Sequence, residues 1–500
     1  MKNNNLSKLV SEEEVKRLLI LFRERFQQQN EFLIRVPARV NLLGTHVDHR
    51  GGWLNYVALD KNFWIVGSKR NDTKVSLINL DRSYKPEEFD IRQETPDGSF
   101  DWETAITKTK IYHCWVNYIK CAFTFLQHKF PEKRILGCNL ACWGNVPQGA
   151  GLSSSSTLVT GSMIAACHVN NINFSKAELV ESCGRAEWFV GTRGGWGDHA
   201  AMVFCKKNLI CHMQFYPFRF EYFPFFDNTK IIVANSLIEA KKSAEAKGIF
   251  NQRVSCYEIG FQILKKKYPR VAEQCKYLRD INPEVLGGPE SVYELLLCLP
   301  ETAIRKNLYR MLPEFRERLD IIFQTHPEPS EYRIRDVVSY GIFECERSRI
   351  CTKYLTKNDA IEFGRLMYIS HDGDRIVSYV NGVENPWVWH ADDSTLLVLK
   401  ENAKKNLQSA HLHIQPGRYS CSRKELDFIV DCVKEIPGVY GAKLTGAGLG
   451  GCVVILSETN SVERILETLK AKYYDPERLP FEVIVSEPED GAIIMENVYV

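Results

Sequence analysis

A glycine- and serine-rich stretch constrains the fold more than any other feature of the chain. Residues 145–159 read Asn-Val-Pro-Gln-Gly-Ala-Gly-Leu-Ser-Ser-Ser-Ser-Thr-Leu-Val. Gly149 and Gly151 allow the backbone to turn tightly and to approach a ligand closely, because neither has a Cβ. The serines provide N-cap oxygens where a predicted helix begins, and the positive end of that helix predicts an anion site such as a phosphate site. The same pattern also fits an ordinary turn that caps a buried helix, so other stretches must decide between the two.

Length, charge and cysteine usage narrow the class of protein. The 500 residues exceed what one hydrophobic core usually serves, which predicts two domains with a weak boundary near residues 225–229. The net charge of +2 gives no reason to expect a nucleic-acid partner. No apolar run is long enough to span a membrane, and the polar N-terminus lacks the apolar core of a signal peptide. The sixteen cysteines are scattered without a Cys-x-x-Cys pair, so reduced, mostly buried thiols in the cytoplasm are expected.

Hydrophobic periodicity predicts a mixture of strands and helices, which favours an α+β protein of two lobes. Strands are predicted at 32–39, 57–69, 74–80, 135–143, 230–234 and 481–485, and helices at 109–129, 157–168, 176–190, 243–267, 341–355, 359–370, 423–435 and 461–473. Residues 270–335 are predicted to be a charged helical stretch. Residues 381–404, rich in Trp, Asp and His, are predicted to be irregular.

A second glycine-rich stretch fits the dinucleotide-binding fingerprint but stands in the wrong context. Residues 446–451 read Gly-Ala-Gly-Leu-Gly-Gly and satisfy G-x-G-x-x-G, which requires a strand before it and a helix after it. The β-branched run 452–456 follows instead, so a turn between two paired strands is predicted. A nicotinamide-dependent dehydrogenase is therefore the minor interpretation. The lysine-containing motif of P-loop nucleotide-binding proteins does not occur in the sequence.

Three stretches in order resemble the three signature motifs of the galactokinase-like branch of the GHMP small-molecule kinases. They are 39–48, which ends Leu-Leu-Gly-Thr-His-Val-Asp, 147–156, and 444–451. The segments 115–120, 187–198 and 415–427 are similar to further family motifs, so the resemblance covers nearly the whole chain, least well at 270–335 and 371–415. The spacing from Glu187 to Asp198 and the residues 250–254 look closer to eukaryotic N-acetylgalactosamine kinases than to common galactokinases.

The resemblance implies a fold, an activity and a set of partners. The fold would be the two-lobed α+β arrangement of the superfamily, with an N-terminal lobe at 1–225, a C-terminal lobe at 226–500 that carries a helical insertion at about 270–335, and the active site in the cleft between lobes. The activity would be transfer of the ATP γ-phosphoryl group, with Mg²⁺, to the anomeric hydroxyl of a sugar. A cytoplasmic monomer that binds small molecules, and neither nucleic acid nor membrane, is expected.

Phosphoryl transfer needs bound and neutralised phosphates, a metal ion and an activated acceptor oxygen. The resemblance implies that Asp198 is the base near the anomeric hydroxyl. Arg39 would lie beside it, keep the carboxylate ionised and offset charge on the moving phosphoryl group. Ser155 and Glu187 would hold Mg²⁺. Whether Asp198 removes the proton outright or mainly positions the oxygen stays open.

The resemblance also implies the nucleotide-binding positions. Trp115 would line the adenine pocket, although a core aromatic on an amphipathic helix would have the same spacing. The glycine–serine loop would bind the triphosphate through its backbone N–H groups. The implied ATP-binding residues are Trp115, Gly149, Ala150, Gly151, Leu152, Ser153, Ser154, Ser155, Gly446 and Gly448.

The implied sugar-binding residues are Thr45, His46, Asp48, Gly195 and Phe250. Here the sequence departs from its relatives, because Thr45 replaces the glutamate that normally helps to hold the far exocyclic hydroxyl of galactose. Galactose is the first acceptor to expect, and fucose, arabinose, a uronic acid and N-acetylgalactosamine remain alternatives. A non-catalytic sugar and ATP sensor, as some relatives have become, is a further alternative, but the serine loop is full length and both Asp198 and Arg39 are present.

Overall fold

The structure is a computed structural model that describes residues 13–94, 114–190, 195–238, 244–496 and 498. Its strands are β1 Phe32–Leu43, β2 Trp53–Lys69, β3 Lys74–Asn79, β4 Glu87–Asp90, β5 Cys138–Gly144, β6 Leu209–Gln214, β7 Arg219–Pro224, β8 Thr229–Asn235, β9 Val377–Val380, β10 Val383–Pro386, β11 Val439–Leu444, β12 Cys452–Glu458, β13 Val483–Ser486 and β14 Ile493–Glu496.

The helices pack against these strands and against one another. They are α1 Glu13–Phe26, α2 Ile91–Glu94, α3 Trp115–Lys129, α4 Ser154–Val169, α5 Lys176–Glu187, α6 Gly197–Phe204, α7 Ala244–Lys267, α8 Pro269–Gln274, α9 Pro283–Leu286, α10 Pro289–Leu297, α11 Arg305–Met311, α12 Arg316–Phe323, α13 Ile334–Ile350, α14 Thr352–Thr356, α15 Ala360–Asp374, α16 Asp393–Lys404, α17 Lys424–Lys434 and α18 Val462–Leu469. No helix in these described ranges is long and apolar enough to cross a bilayer.

Two sheets organise the chain. The first has eight strands in the order β14-β1-β2-β5-β3-β4, with β6 and β7 attached to β2. The pairing of β3 with β5 is parallel, and the other pairings in this sheet are antiparallel. The second sheet has four antiparallel strands in the order β11-β12-β8-β13. The mixed α+β character expected from the sequence is confirmed, and the division of the chain at residue 225 stays a prediction.

The hydrophobic core beneath the first sheet positions the glycine–serine loop. Helix α4 packs on β1 and β2 and on helix α3. Its buried face, which includes Val159 and Met163, joins one cluster with Val36 and Ile65. A helix that is buried on most sides cannot shift without opening this core, so the loop at its N-terminus is held in place. That loop connects β5 to α4 directly.

The predicted helical stretch 270–335 is confirmed, since α9 to α12 lie within it and α8 begins one residue before it. Arg279 anchors this helical stretch to the rest of the protein. Its Nη1 donates to the carbonyl oxygens of Gly51 at 2.7 Å and Phe215 at 2.5 Å, and Nη2 donates to the carbonyl oxygen of Tyr216. The helical stretch therefore contacts the turn that follows Asp48 and the segment after β6.

The prediction that residues 381–404 are irregular is wrong. Strands β9 and β10 form a hairpin whose turn residues, Asn381 and Gly382, have φ values of 52° and 77°. Asn-Gly at such positive φ values is the common two-residue hairpin turn. Helix α16 then begins after Asp392, whose side chain accepts a 2.8 Å hydrogen bond from the Thr395 amide. Both local signals were present in the sequence and were outweighed by its unusual composition.

Candidate active site

Arg39 and Asp198 form a two-bond ion pair although 159 residues separate them in the sequence. Arg39 lies on β1, and Asp198 lies in the first turn of α6. Arg39 Nε donates to Asp198 Oδ1 at 2.7 Å and Arg39 Nη2 donates to Asp198 Oδ2 at 2.6 Å. The Arg39 side chain is 4% exposed and that of Asp198 is 31% exposed, so the carboxylate is the part of the pair that a ligand can reach.

The glycine–serine loop meets this ion pair. Arg39 Nη1 donates to the carbonyl oxygen of Gly151 at 2.8 Å. Ser153 Oγ accepts a hydrogen bond from Arg39 Nη2 and donates one to Asp198 Oδ2. Ser153 has φ 59° and immediately precedes helix α4. The predicted phosphate loop, the guanidinium and the carboxylate thus share one place in the structure.

The electrostatics keep Asp198 ionised. Burial alone disfavours the charged carboxylate, but the charge and hydrogen bonds of Arg39, with the Ser153 hydroxyl, lower the pKa of Asp198 to about 2. The Tyr56 hydroxyl donates a further hydrogen bond to Asp198 Oδ1 at 3.3 Å. Burial raises the pKa of Tyr56 well above its usual value, so its hydroxyl stays protonated and remains a donor.

The second glycine stretch is a turn between strands, as predicted. It joins β11 to β12, which are antiparallel with Leu444 opposite Val453. Gly446, at φ 83°, lies so close to the first loop that an added Cβ would be 2.9 Å from the Gly151 carbonyl oxygen. Gly448 is equally confined, since an added Cβ would be 2.2 Å from the carbonyl oxygen of Cys421. The two glycine loops therefore touch through their backbones.

We expect Gly446→Ala to weaken nucleotide binding and to lower stability more than Gly382→Ala does. Both glycines have left-handed φ values, 83° and 77°, so alanine at either position costs about 1–2 kcal/mol in the backbone. Only Gly446 has a neighbour that the new Cβ would strike, because nothing lies within 4 Å of a Cβ at Gly382. Denaturant unfolding and nucleotide titration measure the two effects. Equal losses of stability with unchanged nucleotide affinity in both variants would contradict the expected contact.

Glu187, at the end of α5, is held by residues from two other helices. Ser156 Oγ lies 3.2 Å from Glu187 Oε2, and His199 Nε2 lies 2.8 Å from the same oxygen. Ser155 is half-buried in the first turn of α4, one residue before Ser156. Within the described ranges, no hydrogen bond joins Ser155 to Glu187. The structure thus brings Glu187 to the helix after the loop, with a hydrogen bond from Ser156.

His46 lies among aromatic rings at the predicted sugar end of the site. Its ring stacks on Tyr419, with centroids 4.2 Å apart and planes at 15°. The ring of Phe250, from α7, approaches His46 edge-on with centroids 6.4 Å apart. His46 Nε2 lies 3.3 Å from Asp374 Oδ1. The structure therefore brings together two of the predicted sugar contacts, His46 and Phe250.

Thr45 lies in a buried cluster of charges. Its hydroxyl accepts a hydrogen bond from Lys443 Nζ, and its amide donates to Glu344 Oε1 at 3.2 Å. Glu344 also pairs with Arg347, and burial works against its ionised form while Arg347 and Lys443 lower its pKa. Burial lowers the pKa of Lys443, and the charges of Glu344 and Asp374 act in the opposite direction.

Asp48 begins a short 3₁₀ turn, Asp48–Arg50, and its Oδ1 lies 2.9 Å from His49 Nδ1. Burial works against its charge, but the hydrogen bond from His49 lowers the pKa of Asp48. Gly195 lies directly against this carboxylate, because an added Cβ would be 1.7 Å from Asp48 Oδ2. The neighbouring glycines at 191 and 194 lie outside the described residues. The structure thus brings together Asp48 and Gly195, two of the residues that the resemblance implied for sugar binding.

Trp115 is the first residue of α3 and is half-buried. Its ring meets that of Tyr84 edge-on, with centroids 5.7 Å apart, and the Tyr84 hydroxyl accepts a hydrogen bond from Gln148 Nε2. Gln148 directly precedes Gly149 of the loop. Trp115, which was predicted to line an adenine pocket, is therefore linked to the glycine–serine loop through Tyr84 and Gln148.

The residues of the site that the sequence did not single out include the following four. Tyr56 and His199 contact the predicted acid and the predicted metal ligand, and Glu344 and Lys443 surround Thr45. Lys443 had a detectable signal, since a lysine between apolar residues of a strand next to a glycine turn is unusual. The other three have no local pattern that separates them from structural residues.

Three family models match the chain, and each of them includes residues of the site. They are GHMP kinases N terminal domain at residues 117–206, Galactokinase galactose-binding signature at 20–69, and GHMP kinases C terminal at 397–475. The chain carries both GHMP kinase domains and the galactokinase galactose-binding signature. With its galactokinase relatives, these matches indicate a phosphotransferase with an alcohol group as acceptor, similar to the galactokinase-like branch of the GHMP kinases.

The relatives match this chain over almost its full length. It is 26% identical to the galactokinase of Schizosaccharomyces pombe over 96% of this chain and 95% of that protein. It is also 26% identical to the galactokinase of Roseiflexus sp., over 95% of this chain and 97% of that protein. The crystal structure of Lactococcus lactis galactokinase complexed with galactose has a TM-score of 0.67 at 20% identity, covering 95% and 98% of the two chains. The fold predicted from the resemblance is confirmed by this likeness.

Proposed function

We propose that this protein is an ATP-dependent sugar kinase that phosphorylates the anomeric hydroxyl of a hexose, with galactose as the first acceptor to test. One observation carries the proposal: Ser153 of the glycine–serine loop hydrogen-bonds to both members of the Arg39–Asp198 pair. A phosphoryl group on that loop would lie beside a carboxylate that can hold the acceptor oxygen. This is the arrangement that an in-line transfer between two bound substrates requires.

Each member of this cluster has a distinct task in the proposed reaction. Asp198 orients the acceptor hydroxyl and takes its proton as the phosphoryl group transfers. Because the pKa of Asp198 is about 2, this carboxylate is too weak a base to remove the proton beforehand, so we infer that proton transfer accompanies phosphoryl transfer. Arg39 keeps Asp198 ionised and stabilises charge on the transferring group, and the loop N–H groups orient the phosphates.

The residues around Glu187 fit a magnesium ion. Their donor set consists of a carboxylate and serine hydroxyls next to the phosphate loop, which are the hard oxygen ligands that Mg²⁺ takes in small number while keeping waters. We propose that Glu187 and Ser155 hold the ion, with Ser156 supporting Glu187. When bound, Mg²⁺ neutralises charge on the nucleotide phosphates.

The charges around Thr45 favour a neutral sugar over a uronic acid. Lys443 and Arg347 supply two positive charges in this buried cluster, and Glu344 and Asp374 supply two negative charges. An acidic sugar would add a negative charge to a cluster that is already balanced, and an unbalanced buried charge is costly. The uronic acid is therefore the least favoured of the alternative acceptors.

We expect Thr45→Glu to shift the acceptor preference towards galactose. The new carboxylate would lie beside Lys443 Nζ, which now donates to the Thr45 hydroxyl, and could accept from the exocyclic hydroxyl of the sugar. Because it also adds a negative charge to the balanced cluster, the folded variant should be less stable than the wild type. A hydrogen bond to a charged group contributes about 1.5–3 kcal/mol, so the ratio of kcat/KM for galactose to that for 6-deoxygalactose should rise about tenfold or more. Thr45→Ser, which keeps the hydroxyl, is the control. An unchanged ratio in Thr45→Glu would show that residue 45 does not read this end of the sugar.

The decisive experiment is a panel of sugars with ATP and Mg²⁺, in which ADP release is measured and the phosphorylated position is identified by NMR. Galactose, N-acetylgalactosamine, fucose, arabinose and galacturonic acid are the acceptors to include. Phosphorylation at the anomeric oxygen is expected. Binding of sugar and ATP without ADP release from any acceptor would overturn the kinase and favour the sensor.

We propose further that the protein is a cytoplasmic monomer. All sixteen cysteines are free thiols, and thirteen of them are buried, which supports a reducing compartment. Sedimentation at several concentrations tests the oligomeric state.

A further inference from the structure

A buried histidine joins helix α4 to the Glu187 carboxylate. His199 is 0% exposed, and its Nδ1 lies 3.0 Å from Thr160 Oγ1 while its Nε2 lies 2.8 Å from Glu187 Oε2. Ser156, four residues before Thr160 on the same helix, reaches the same carboxylate oxygen at 3.2 Å. A short run of hydrogen bonds therefore begins and ends on α4, and it encloses Glu187 from two sides.

The direction of these hydrogen bonds follows from the chemistry of the groups. An ionised carboxylate only accepts, so His199 Nε2 carries the proton that is donated to Glu187. In the neutral ring Nδ1 is then an acceptor, and the Thr160 hydroxyl donates to it. Both ring nitrogens are used, which fixes the plane of the imidazole and hence the line along which it holds Glu187. Because His199 directly follows Asp198, one turn of α6 supports both carboxylates of the proposed reaction.

We propose that His199 is a positioning residue that sets the orientation of Glu187 towards nucleotide-bound Mg²⁺, and this rests on the proposed function. A glutamate has three side-chain torsions, and holding it in one rotamer in advance removes an entropic cost of binding the ion. Partners that orient a metal ligand typically contribute about 10- to 100-fold to metal affinity. Thr160 acts one step further away, by fixing the ring of His199.

The test measures binding rather than turnover. The affinity for a non-hydrolysable ATP analogue is titrated by calorimetry at a series of Mg²⁺ concentrations and in excess EDTA. The variants are His199→Leu, His199→Gln and Ser156→Ala. The matched control is His212→Leu, because His212 is also buried and hydrogen-bonded, at 2.9 Å to Asn55 Oδ1, but contacts none of the proposed metal ligands.

We expect His199→Leu to raise the Mg²⁺ concentration needed for half-maximal enhancement of binding by about 10- to 100-fold. Affinity in EDTA should stay the same. His199→Gln should shift less, because an amide N–H can still donate to Glu187, and Ser156→Ala should shift in the same direction as His199→Leu. The His212→Leu control should leave the Mg²⁺ requirement unchanged even where it lowers the melting temperature.

Two results would overturn the positioning role. One is a folded His199→Leu variant whose Mg²⁺ requirement is unchanged. If His199→Leu does not fold, the corresponding result is an unchanged Mg²⁺ requirement in both His199→Gln and Ser156→Ala. The other is an equal loss of affinity with and without Mg²⁺, which would mean general damage to the nucleotide site. Failure of the proposed function would look different: the wild-type protein would bind no nucleotide, or would bind it without releasing ADP with any sugar of the panel.

Discussion

Asp198→Asn should lower the turnover number for sugar phosphorylation by about 10²- to 10⁴-fold, the range typical for a residue that handles the transferred proton. Affinities for sugar and nucleotide should change little, because the amide keeps the size of the side chain. Turnover falls because a neutral amide does not accept the proton and holds the acceptor hydroxyl less strongly than the carboxylate does during transfer. Turnover is measured by ADP release under saturating substrates, and affinities are measured by calorimetry.

The chain offers a matched control for this change. Asp72 also makes a two-bond pair with an arginine, Arg70, at 2.8 and 2.6 Å, and this pairing likewise lowers the pKa of Asp72 to about 2. The pair lies in the turn between β2 and β3. Asp72→Asn should therefore leave turnover unchanged. Turnover within a few-fold of wild type in Asp198→Asn would remove Asp198 from the mechanism.

Arg39→Gln should lower kcat/KM by about 10²- to 10³-fold, since a preorganised charge facing the reacting group is lost. It should also create a new pH dependence. In the wild type the low pKa of Asp198 keeps the carboxylate ionised across the pH range of the assay. Protonation of Asp198 should therefore not lower kcat/KM as the pH is decreased to about 5. Without Arg39, burial dominates and raises that pKa above the ordinary value of about 3.9.

The variant should therefore lose activity as the pH falls through the raised pKa, whereas the wild type should not. Activity decreases at low pH because the ionised form of the Asp198 carboxylate is the active one. Profiles of kcat/KM against pH for both proteins check this, and circular dichroism at each pH excludes unfolding as the cause. The idea that Arg39 keeps the carboxylate charged would be wrong if the two profiles had the same acidic limb.

Local patterns in the sequence predicted most of the elements that carry the site. The serine-rich stretch predicted the loop before α4, and the β-branched run after Gly451 predicted a turn between strands instead of a dinucleotide-binding helix. Residues 381–404 were the exception: the Asn381-Gly382 turn and the Asp392 cap are local signals, but the Trp- and His-rich composition concealed them.

The meeting of distant residues could not be read from periodicity. The approach of Arg39 to Asp198 was inferred only through the family resemblance, because a side-chain pair 159 positions apart has no local signature. The environment of Thr45 was not foreseen at all. The Glu344 carboxylate is 299 positions away and Lys443 is 398 positions away, so only the folded chain shows that the position is enclosed by compensating charges.

The backbone contact between Gly446 and Gly151 bears on how the protein matures during synthesis. The turn that contacts the glycine–serine loop is encoded almost 300 residues downstream of it. A ribosome that has completed the first half of the chain has made the loop but not its support. On the proposed function, nucleotide can therefore assist folding only once about nine-tenths of the chain has been made, and fragments that end before Gly446 should gain no protection from ATP.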